Sequence, residues 1–135
     1  MIELRDLWRT YQVGDSEVHA LHGVDLTIGR GDYLAVVGPS GSGKTSFINL
    51  CYGALRPSGG ALSVFGEDIS TLSRDEIALL RRRMGVVHQD CQFLDHLTVA
   101  ENIALPLQAA GRDIADARDD LEELMAWVGL TDRAG

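Results

Sequence analysis

The residues best suited to chemistry lie between Val36 and Phe47, in the run VVGPSGSGKTSF. Glycines 38, 41 and 43 interrupt it, and Lys44 follows them. Lys44 is the only lysine of the chain; the rest of the 12 basic residues are arginines. Gly38-Pro39-Ser40-Gly41-Ser42-Gly43-Lys44-Thr45 matches G-x-x-x-x-G-K-[ST] at every position. The chemistry this serves is the grip of a polyphosphate. Glycines let successive backbone N–H groups turn inward around phosphate oxygens, where a Cβ would crowd the ligand. A helix beginning at the loop aims the positive end of its dipole at the same oxygens. Lys44 would meet the β- and γ-phosphates, the Thr45 hydroxyl would bind Mg²⁺, and the backbone from Gly41 to Ser46 would line the site. Ser40 would help shape the loop. The alternative is a glycine turn with a chance lysine beside it, which the full motif between a buried strand and a helix disfavours.

Such a loop works only if flanking elements hold it. DYLAVV before it is a short continuous apolar run and predicts a buried strand. After it a helix is expected from about Lys44 to Leu55, ending before Pro57. Upstream, MIELRDLWRTY and HALHGVDLTI alternate polar and apolar residues and predict half-buried strands. Downstream, RPSGG predicts a turn, ALSVFGEDI a strand and MGVV a short buried strand. Ser73 with Glu76 and Thr98 with Glu101 are capping boxes that predict two helix starts, and Pro106 is expected to kink or end the second helix. Ile114, Ala117, Leu121, Leu124, Met125 and Val128 share one face of a last helix closed by Gly129. Two extended segments followed by strand–helix alternation predict an α/β domain with an antiparallel preface.

Bulk composition narrows the partners. A net charge of −8 argues against nucleic acid, whose phosphates attract basic surfaces. No apolar run approaches the roughly 18 residues of a membrane span, and the N-terminus does not read as a signal peptide. Cys51 and Cys91 make no disulfide framework and read as reduced thiols of the cytoplasm. His88, Cys91 and His96 fit no common zinc spacing. Arg81-Arg82-Arg83 reads as a solvated helix end. Guanine-specific relatives of such loops read the base with Asn-Lys-x-Asp, and the chain has no second lysine to build one. ATP is the expected nucleotide.

Around the loop, four further stretches resemble the ATP-binding domain of ABC transporters. LWRTYQVGDSEVHALHGVDLTIGRGDYLAVVGPSGSGKTSFINL is similar to that domain's opening, GGALSVFGEDI to its next strand pair, LRRRMGVVHQD to the run into its Q-loop, and LDHLTVAENIALPL to the start of its helical subdomain. The resemblance implies an α/β fold with a P-loop nucleoside triphosphatase core and an N-terminal antiparallel strand segment. It implies that Tyr11 stacks on adenine through its ring, its hydroxyl being dispensable, and that Gln89 contacts Mg²⁺ or the attacking water. It also implies an integral membrane subunit docking near Gln89–Thr98, a homodimer sandwiching ATP, and a place on the inner face of the cell membrane. Residues 81–112 most resemble the bacterial cell-division ATP-binding group, close to the lipoprotein-release and macrolide-export ATPases. His88 stands where many relatives carry an aromatic residue. The family's signature loop, Leu-Ser-Gly-Gly-Gln, and its later Asp-Glu strand are absent from the sequence, so residues 1–135 read as the front portion of one such domain. That portion is expected, on its own, to bind ATP weakly at best and not to hydrolyse it significantly. Ser58-Gly59-Gly60 imitates the signature but reads as a turn. A small-molecule kinase and a non-catalytic interaction module are the rival readings.

Overall fold

The computed structural model describes residues 1–89 and 93–133. The chain forms two compact units, Met1–Val86 and Val87–Gly135.

In the first unit, β1 (Ile2–Val13) and β2 (Ser16–Ile28) pair antiparallel across a two-residue turn. β3 (Gly59–Val64) pairs with the other edge of β1, and β4 (Glu67–Asp68) turns back on β3, giving the order β2-β1-β3-β4. Strict alternation cannot bury both Leu4 and Leu7, which are three residues apart. A register shift between them solves this: Asp6 takes φ 45°, its N–H donates to Asp25 Oδ1 at 2.8 Å, and both leucines turn inward. Gly60 is part of the same device, because a Cβ there would run into the Asp6 carbonyl.

Leu4, Leu7, Leu62 and Val64 from the sheet bury against Phe47 and Leu50 of α1 (Lys44–Cys51) and Leu80 of α2 (Arg74–Arg81). Each such side chain contributes about 1.5–3 kcal/mol on burial. The core therefore ties the helix that begins at the glycine loop to the antiparallel sheet. The Ser73–Glu76 capping box forms as the sequence predicts, with both reciprocal hydrogen bonds present. Arg81 does not end in solvent. Its guanidinium donates to the Tyr52 and Gly53 carbonyls, just past the C-terminus of α1, which a cation stabilises. Arg83 pairs with Glu67 at 3.0 Å and lies over the Phe65 ring.

Several sequence expectations need correction. DYLAVV and MGVV form no strand among the described residues, and Tyr33 and Val37 are 95% and 86% exposed. An apolar run favours burial, but a strand also needs a partner edge, and neither run is paired with another strand among the described residues. Helix α1 stops at Cys51 rather than Leu55. The RPSGG stretch is only partly a turn, since Gly59 and Gly60 open β3.

The second unit holds α3 (Val99–Ala109) and α4 (Arg118–Trp127), with a 3₁₀ turn at Ala115–Ala117 between them. The Thr98–Glu101 capping box starts α3 as expected. Pro106 does not end it: the helix continues to Ala109, and Ala110 N–H closes onto the Pro106 and Leu107 carbonyls. Ala104, Ala117 and Met125 are buried, while Leu124 and Val128 of the expected apolar face are 44% and 49% exposed. Asn102 ties the preceding segment to α3, its amide donating to the Leu94, Leu97 and Thr98 carbonyls and accepting from Leu94 N–H.

Candidate functional site

Residues 38–46 form one connected arrangement at the start of α1. Gly43 is the N-cap residue at φ 88°, with no side chain to cap the helix. The N–H groups of the first turn have no intrahelical acceptor, so they remain available to an anion. Gly41 takes φ 80° and faces open space where a Cβ would sit. Gly43 is different: a Cβ there would collide with the Ala20 carbonyl, so its bareness lets the helix start pack against β2.

Lys44 Nζ turns back over the loop. It donates to the carbonyls of Gly38 at 2.8 Å and Pro39 at 2.6 Å, and to Ser42 Oγ at 3.3 Å. The ammonium thus sits among the loop's own acceptors, on the same turn as the uncapped N–H groups. Ser40, Gly41, Ser42 and Thr45 are exposed, so an incoming group has access to both. A ring of donors with a cation beside it fits a polyphosphate, and the exposed Thr45 hydroxyl offers Mg²⁺ one oxygen of the hard ligand set it prefers. The loop also borders a cleft of about 510 Å³. Its walls are largely apolar, with Leu21, Val24, Leu26 and Phe47 among them, which disfavours a charged phosphate within it.

Tyr11, on β1, is joined to this arrangement. Its hydroxyl lies 3.0 Å from Ser46 Oγ in the first turn of α1. The hydrogen bond with Ser46 and, beyond it, the Arg9 guanidinium outweigh burial and hold the phenol below its ordinary value of 10.0. Arg9 stacks over the Tyr11 ring at 4.4 Å from its centroid. Sequence reasoning singled out Tyr11 and Ser46 separately and missed both their contact and Arg9. The available signal was that Arg9 and Tyr11, two apart on a strand, share a face.

Gln89 is exposed and belongs to the second unit. Asp90, Cys91 and Gln92, within the expected docking segment, lie outside the described residues.

Known proteins share this organisation. The chain is 37% identical over 133 residues to the methionine import ATP-binding protein MetN 1 of Acinetobacter baylyi, covering 98% of this chain and 37% of the relative. It is 40% identical over 134 residues to the macrolide export ATP-binding/permease protein MacB of Hyphomonas neptunium, covering 98% of this chain and 21% of that one. The chain therefore spans well under half the length of these relatives. Among solved structures, the dimeric post-hydrolysis state of the ATP-binding cassette MJ0796, bound to ADP and phosphate, superposes with a TM-score of 0.76 at 33% identity. That match covers 80% of this chain and 47% of the other. The family described as ABC transporter matches residues 21–135, so the chain belongs to the ABC transporter family, with the α/β fold of its ATP-binding cassettes.

Proposed function

We propose that residues 1–135 are the nucleotide-gripping portion of an ABC-type ATPase that couples ATP hydrolysis to a membrane subunit during transport. The observation that carries this is the Gly38–Thr45 loop with its uncapped helix start and Lys44 Nζ held among the loop carbonyls. In this reading Gly38, Pro39, Ser40, Gly41, Ser42 and Gly43 form the cradle, Lys44 neutralises the β- and γ-phosphates, and Thr45 serves Mg²⁺. Ser46 contributes its backbone N–H, and Tyr11 stacks on the adenine. Mg-ATP binding, without turnover, is the activity proposed for this stretch of chain.

Transport is favoured over cell division because the relatives named above are a methionine importer and a macrolide exporter. The resemblance to the cell-division group finds no support in them. Dimerisation around nucleotide is consistent with the dimeric cassette, and the segment Gln89–Thr98 is our proposed docking surface for the membrane subunit. No helix among the described residues is long and apolar enough to cross a membrane, which is compatible with a peripheral position on the inner face. Calorimetric titration with Mg-ATP tests the core of the proposal. Saturable binding that Lys44→Ala sharply weakens is expected, and binding indifferent to that substitution refutes it. Stimulation of ATP turnover in the full-length protein by its membrane subunit tests the coupling.

A further inference from the structure

Arg9 is held in an unusual way. It is half-buried on β1, and its Nη1 donates to the Arg56 carbonyl at 3.0 Å. Arg56 is itself anchored, because its guanidinium donates to the carbonyls of Ile69, Ser70 and Leu72. Arg9 Nε is buried and has no hydrogen-bond partner. Leaving a guanidinium donor unpaired inside a protein is unfavourable, so the position of the group must be stabilised by something else. What it gains is the face of the Tyr11 ring, 4.4 Å below the guanidinium carbon.

This fixes Tyr11 from two directions. Its hydroxyl is tied to Ser46 in the first turn of α1, and one ring face is covered by Arg9. No second ring or cation is stacked on the opposite face among the described residues. With one face taken by Arg9, only the other is left to a planar base, at a height set by the same helix whose start would hold the phosphates. The cation has an electronic effect too. It draws the ring's π density toward itself, which lessens repulsion between the free face and an electron-rich purine.

We infer that Arg9 is a positioning residue for the nucleotide base, presenting one polarised face of Tyr11 to a purine. This rests on the reading that the loop binds a nucleoside triphosphate and Tyr11 meets its base. Arg9 touches the phosphates nowhere in this scheme, so its contribution should be confined to the base.

The test compares two ligands that share phosphates and differ in the base: Mg-ATP and magnesium tripolyphosphate, titrated calorimetrically into the full-length protein and its Arg9→Gln and Arg9→Lys variants. Arg9→Gln is expected to weaken Mg-ATP by about five- to thirtyfold, the range of a cation–π contact as it becomes desolvated. Tripolyphosphate affinity should stay within about twofold. Arg9→Lys keeps the charge and should retain most of the Mg-ATP affinity; if Arg9→Gln does not fold, Arg9→Met, which keeps the apolar stem without the charge, takes its place with the same expected losses. Equal losses for both ligands would assign Arg9 a purely architectural role and overturn the inference, as would no loss for either. A wild-type protein that binds tripolyphosphate and ATP equally overturns the stacking of Tyr11 and this inference with it. One that binds neither overturns the triphosphate reading itself.

Discussion

Lys44 Nζ donates to the Pro39 carbonyl at 2.6 Å, across the glycine loop that separates them. With Gly38 and Ser42 it has three acceptors for three N–H bonds, so the ammonium is satisfied and localised before any ligand arrives. A phosphate must displace at least one of them, and the 3.3 Å contact to Ser42 is the longest. The side chain is thereby pre-positioned, which reduces the ordering needed on binding.

Removing that charge should be felt mainly by ligand. Lys44→Ala is expected to reduce Mg-ATP affinity at least about tenfold, since a hydrogen bond to a charged group contributes about 1.5–3 kcal/mol. Titration with a fluorescent ATP analogue measures this. Affinity equal to wild type would remove Lys44 from the site.

Tyr11 should separate stability from binding. From sequence, Tyr11→Phe is expected to be nearly silent in nucleotide binding. The hydrogen bond to Ser46 adds an effect on folding: the variant should lose about 0.5–1.5 kcal/mol of stability while keeping its ring for the base. Tyr11→Ala should in addition weaken nucleotide by about 0.5–1.5 kcal/mol. Denaturant unfolding beside nucleotide titration resolves the two effects. A Phe variant as stable as wild type would mean that the Ser46 contact contributes nothing.

Two glycines of the loop should fail differently. Gly41→Ala places a methyl in open space at φ 80°, which costs about 1–2 kcal/mol in backbone strain and leaves packing intact. Gly43→Ala adds a collision with the Ala20 carbonyl, a backbone atom that cannot rotate away. Thermal melts should show the larger drop for Gly43→Ala. Nucleotide titration should still show weakened binding for Gly41→Ala, whose methyl enters the cradle. Wild-type affinity in that variant would place the phosphates elsewhere.

The capping boxes predict an acid response. Glu101 is held below its ordinary 4.5 by the Thr98 N–H and hydroxyl, and Glu76 below the same value by the Ser73 hydroxyl and N–H. A folded-state value below the unfolded one means stability present above the unfolded value and lost as pH falls through the folded one. Helix content followed by circular dichroism from about pH 6 to about pH 3 should therefore decline, and Glu76→Gln with Glu101→Gln should flatten that decline. Glutamine can still complete a capping box but does not titrate in this range. Identical acid profiles would exclude these two carboxylates as its source.

The features that sequence by itself determined are those made by neighbours along the chain. The glycine loop, both capping boxes and the antiparallel opening depend on backbone conformations and hydrogen bonds spanning a few residues, so residue type and spacing suffice to specify them. The irregularity between Leu4 and Leu7, the Asp6 bulge beneath Gly60, lies within a stretch that reads from sequence as plain alternation. Tertiary structure decided what depends on distant partners. DYLAVV has the composition of a strand and is not one here, because a strand is a relation between two segments and no second segment pairs with it among the described residues. Pro106 sits inside α3 because the helix ends on later backbone donors that composition does not display. Tyr11 meets Ser46 across 35 residues, and Arg9 reaches the Arg56 carbonyl across 47. Such contacts exist only once a shared core of Leu4, Leu7, Phe47 and Leu50 has brought sheet and helix together, and no local pattern encodes which side chains will then face each other.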